Sequence, residues 1–133
     1  MPQFLFVGER PSPKAARMGV TWEHGRLAAK QLFDALFAVG LDPKSHRFDN
    51  VFVPTPEGPE VVCRNAVRRI KRAAISGLRV VAMGKKVEAV MAAKCIPCLS
   101  IVHPAARGRI RKKERYAEHV REVLNEAERH TSA

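Results

Sequence analysis

Apolar residues along this chain fall into short blocks, and the stretches between them have helical spacing. Residues 3–7 (QFLFV), 48–53 (FDNVFV), 79–83 (RVVAM) and 99–102 (LSIV) are short, largely apolar runs. Runs of this length predict strands buried on both faces, as in a parallel sheet. Elsewhere the apolar positions recur every three or four residues. Ala28, Leu32, Ala35, Leu36 and Val39 form one stripe, stopped by Gly40 and Pro43. Val62, Ala66, Ile70 and Ala73 form a second that ends at Gly77. Val87, Val90 and Met91 form a shorter third after Gly84, and Tyr116, Val120, Val123, Leu124 and Ala127 a fourth. Four strands alternating with four helices predict an α/β fold layered around a parallel sheet. Residues 9–23 show no regular pattern, and so long a connection in a compact domain is usually functional.

The polar residues that interrupt this pattern share a location. Gly8-Glu9-Arg10 follows the first strand, Pro54-Thr55-Pro56 the second, Gly84 the third and His103-Pro104 the fourth. All four sites are carboxyl ends of strands, the edge at which open α/β sheets bind ligands. A histidine leaving a strand there belongs to a candidate pocket.

At 133 residues the chain predicts a single domain, 1–133, able to bury a core without covalent staples. No stretch approaches the roughly 18 apolar residues that a membrane span needs. The start, MPQFLFVG, lacks a basic region before its apolar run, so no signal peptide is expected. Cys63, Cys95 and Cys98 are too few for a disulfide framework and predict a reducing, cytoplasmic setting. Charge changes the picture more. Twenty-four Lys and Arg against thirteen Asp and Glu leave a net charge of +11. Such an excess attracts polyanions through phosphate contacts that release counterions. Seven basic residues lie between Arg107 and Arg121 against two acids, Glu114 and Glu118. Arg64, Arg68, Lys71 and Arg72 share one helical face. DNA is the expected partner, contacted by Arg107, Arg109, Arg111, Lys112 and Lys113, with Arg64 and Arg68 on a second helix. An anionic membrane ranks below it, because no apolar anchoring stripe accompanies the charge.

Four segments, in this order, resemble the uracil-DNA glycosylase superfamily, in particular its shorter bacterial-type members. VGERPS (7–12) resembles a strand followed by Gly-Glu-x-Pro-Gly. DNVFVP (49–54) resembles the strand that carries a base-reading asparagine, and VVAMGKKVEAVM (80–91) the third strand and its helix. SIVHPAARGR (100–109) resembles the last motif, a strand running into His-Pro and an arginine-bearing loop. GVTWEHGRLAAKQL (19–32) is similar to the segment in which an aromatic precedes a glycine and a leucine-rich helix. The resemblance implies a three-layer α/β/α sandwich with a four-stranded parallel sheet in the order 2-1-3-4. It also implies a monomer that flips a uracil or related damaged base out of DNA, hydrolyses its N-glycosidic bond and frees the base.

Residue by residue, the resemblance gives Asn50 the reading of the base edge and Trp22 the stacking on the flipped base, with Phe6 and Phe52 as rival stackers. Gly8 allows close backbone approach and Arg10 lines the base site. His103 donates a hydrogen bond to the anion developing on the base. The chain departs from the family pattern at Arg10, where relatives place a water-positioning aspartate or asparagine, and at Ser12, where glycine is usual. Arginine cannot act as a general base at neutral pH, so Glu9 becomes the candidate for positioning water. The three cysteines are one short of an iron–sulfur set, so neither metal nor cofactor is expected. Two alternatives remain open. One is a pocket on the same fold that binds a base or DNA without cleaving it. The other is an unrelated α/β nucleotide enzyme, ranked last because no phosphate-binding glycine motif is present.

Overall fold

Phe4 and Phe6 face one side of the first strand, Leu5 and Val7 face the other, and all four are buried. A strand that buries both faces must lie inside a sheet covered on both sides. The computed structural model describes residues 3–10, 13–19, 21–56, 58–106 and 108–131. In chain order its elements are β1 (Phe4–Gly8), α1 (Pro13–Met18), α2 (Ala28–Ala38), β2 (Arg47–Asn50), β3 (Phe52–Thr55), β4 (Gly58–Val62), α3 (Arg64–Ile75), β5 (Arg79–Met83), α4 (Lys85–Ala93), β6 (Leu99–Ile101) and α5 (Lys113–Thr131). β2, β1, β5 and β6 form a parallel sheet in that order, which is 2-1-3-4 when only its own strands are counted.

Helices cover both faces, giving a three-layer α/β/α sandwich. On one side Phe4, Phe6, Val81 and Met83 pack against Leu32 and Leu36 of α2 and Tyr116 and Val120 of α5. On the other, Leu5, Val7, Val80 and Ala82 meet Val67 and Ile70 of α3 and Val87 and Met91 of α4. Each fully buried large side chain contributes roughly 1.5–3 kcal/mol relative to exposure. The glycine stop after α2 is real. Gly40 takes φ +83°, and Leu41 N–H bonds to the Leu36 carbonyl at 2.9 Å, closing the helix end.

Three expectations need correction. The second apolar run leaves the sheet at Asn50 rather than at residue 53, and continues into an antiparallel hairpin, β3–β4. Pro54 and Pro59 lack an N–H and so suit such a ribbon better than a central strand. Val62 consequently belongs to β4, and the helix begins at Arg64. The 9–23 connection contains α1 and a 3₁₀ turn over Trp22–His24, which makes five α-helices among the described residues. Among those residues no helix is long and apolar enough to cross a membrane.

Candidate active site at the carboxyl edge of the sheet

A cleft of about 110 Å³ opens at this edge, lined by Arg10, Ala15, Thr21, Trp22, Arg26, Leu27, Ala28, Ala29, Asn50, His103 and Ala105. On a scale where one water needs about 10–15 Å³, the cleft has room for several water-sized groups. Four of the expected residues meet here: Arg10 after β1, Trp22 before α2, Asn50 at the end of β2 and His103 after β6. Gly8 lies beneath them, paired in register with Asn50.

Trp22 is held by a tight turn. The Thr21 N–H donates to His24 Nδ1 at 2.8 Å, and the Gly25 N–H to the Trp22 carbonyl at 3.1 Å. The indole then reaches across the sheet edge, and its Nε1–H donates to Asn50 Oδ1 at 2.7 Å. The approach is so close that a Cβ on Gly8 would stand 2.7 Å from Trp22 Cζ2 and 2.9 Å from Asn50 Oδ1. Only glycine fits. Asn50 is also fixed through its backbone, whose N–H donates to Asp49 Oδ1 at 2.9 Å while Arg69 of α3 grips Asp49 with two hydrogen bonds. At the rim, Leu27 adopts φ +59°, a conformation that costs a non-glycine residue on the order of 1–3 kcal/mol.

His103 sits on an anchored strand exit. Just before it, the Val102 N–H donates to His119 Nε2 at 2.9 Å, and the Val102 carbonyl accepts from the Tyr116 hydroxyl at 2.6 Å. Both partners come from α5. The His103 ring accepts the Ala105 N–H at Nδ1, 3.0 Å away, so the neutral ring carries its proton on Nε2. Among the described residues that Nε2–H has no partner. Burial holds the imidazole below its ordinary pKa, and the nearby Glu9 charge opposes the shift. Near neutral pH His103 is thus an uncharged donor, edge-on to Trp22 with ring centres 6.3 Å apart.

No protein-family model matches the chain, and no curated protein is significantly similar to it. The geometry of the cleft therefore carries the functional reading.

Two functional features had no place in the sequence pattern. Arg10 pairs with Glu60 of β4 at 2.7 Å; Lys86 at the start of α4 bonds to the same Glu60 and lies 3.5 Å from Glu9. The hydrogen bond from Lys86 is the main reason Glu60 is held below the usual carboxylate range. Glu9 is thus drawn into this network and does not line the cleft. The run of β-branched residues on either side of Pro56 and Gly58 was the local signal for the hairpin that brings in Glu60.

The basic residues divide between the two faces of the sheet. Arg64 and Arg68 are exposed on α3, whose start is tied to the sheet edge by the Cys63 N–H bond to the Val51 carbonyl. Arg109 and Arg111 are exposed on a 3₁₀ turn against the opposite face, followed by Lys112 and Lys113. Arg107 lies outside the described residues. Among the described residues no group of His, Cys, Asp and Glu could hold a metal ion.

Proposed function

We propose that this protein is a DNA glycosylase that hydrolyses the N-glycosidic bond of a flipped uracil or a related modified base. The observation that supports it most is the neutral His103, its Nε2–H without a partner among the described residues, facing the same small cleft as Trp22 and Asn50. In the proposed reaction a water oxygen bonds to C1′ as the C1′–N1 bond breaks. The electron pair leaves with the base, and the proton lost by water ends on the base or in solvent. A donor aimed at the base carbonyl stabilises that departing charge more than it stabilises the substrate. Glu9 leaves β1 at the same edge; held by Lys86 outside the cleft in this structure, it must turn inward from that ion pair to orient the water. Arg64, Arg68, Arg107, Arg109, Arg111, Lys112 and Lys113 hold the DNA backbone, the reaction needs no cofactor, and the protein acts as a monomer.

A second reading, a base- or DNA-binding module without cleavage, is favoured by one observation. Arg10 occupies the cleft wall where a water-positioning group is wanted, and Glu9 is engaged by Lys86. Incubation with single- and double-stranded oligonucleotides carrying uracil, and then other modified bases, separates the two. Alkali-labile abasic sites support the glycosylase; specific binding without any such sites supports the module.

A further inference from the structure

We propose that Trp22 is a positioning residue whose indole N–H locks the amide of Asn50 in one orientation, and that this lock decides which base edges the cleft accepts. The inference rests on the reading of the cleft as a base pocket. Indole nitrogen only donates, so the atom 2.7 Å from it must be the amide oxygen. The flipped amide would set N–H against N–H. Asn50 Oδ1 keeps a second lone pair, and its Nδ2 has no acceptor among the described residues.

An asparagine free to turn its amide reads two kinds of edge equally well. One is the N–H and carbonyl of an oxo base; the other is the ring nitrogen and amino group of an amino base. Locked, it reads only one of them. The lock is built from three residues on three segments, since Gly8 must lack a Cβ for Trp22 and Asn50 to meet above it. Trp22 therefore has a role beyond offering an aromatic face, and phenylalanine cannot replace it.

The test uses the full chain, Trp22→Phe and Asn50→Ala, with free uracil and free cytosine as probes, followed by ¹H–¹⁵N NMR. In the wild type the Trp22 indole N–H exchanges slowly with solvent, and Asn50→Ala speeds that exchange and moves its resonance. This readout needs neither ligand nor a folded Trp22 variant. Wild-type protein prefers uracil, and Trp22→Phe lowers the uracil-to-cytosine affinity ratio by about tenfold or more while still binding uracil. An indole resonance indifferent to Asn50→Ala, or a Trp22→Phe protein that keeps the wild-type ratio, overturns the proposal and leaves the pocket reading intact. Wild-type protein that binds neither base overturns the pocket reading and the proposal together.

Discussion

The buried Tyr116 hydroxyl donates to the Val102 carbonyl at 2.6 Å, which ties α5 to the residue immediately before His103. Tyr116→Phe keeps the ring in the core and removes only this bond. Leaving the carbonyl unpaired costs about 1–3 kcal/mol. Urea denaturation should show that loss with an unchanged m value, and base release should slow because the His103 exit is less firmly held.

Acid should weaken the fold through three histidines. His46, His103 and His119 each accept a backbone N–H, from Phe4, Ala105 and Val102 respectively. Burial holds all three below their ordinary value of 6.5, against opposing pulls from Asp42, Glu9 and Glu122. A lowered histidine pKa means the unfolded chain takes up protons first. Stability is therefore full above 6.5, falls as pH drops through 6.5 towards the folded values, and loses nothing more from this source below them. Denaturation midpoints between about pH 8 and about pH 5 should follow that curve. His119→Gln, which can still accept the Val102 N–H, should flatten part of it.

Much of this arrangement was legible in the chain, for reasons that also mark its limits. Alternation in residues 4–7 and the three-to-four spacing of α2, α3 and α5 reflect burial, and burial is written locally. His103 was legible because a polar group at a strand's end has few structural uses; Asn50 and Trp22 were legible only through the family resemblance. Glu60 and Lys86 were not, since an ion pair 26 residues apart leaves no periodic trace. The bond from Trp22 to Asn50 spans 28 residues and was hidden for the same reason. The hairpin is masked in the sequence because Val62 happens to continue the helical stripe of α3.

DNA binding should respond oppositely to two sets of substitutions. Replacing Arg109, Arg111, Lys112 and Lys113 by glutamine should weaken binding and flatten its salt dependence by about 0.9 of a log unit for each phosphate no longer neutralised. Glu60→Gln removes an acid beside the cleft and releases Arg10 and Lys86. It should strengthen binding and steepen the salt dependence. The pairs it breaks lie at the surface, where ion pairs contribute little to stability, so the fold should tolerate it. Fluorescence anisotropy across a salt series reads both effects.

The role of His103 is read by single-turnover base release from a uracil-containing oligonucleotide by the wild type and by His103→Ala, with the DNA affinity of each determined alongside. Removal of one donor to a developing anion typically costs on the order of 10²–10³ in rate. His103→Ala should lose a factor of that size at nearly unchanged DNA affinity. Equal rates for the two proteins would remove His103 from the chemistry, and no base released by the wild type would rule out a glycosylase.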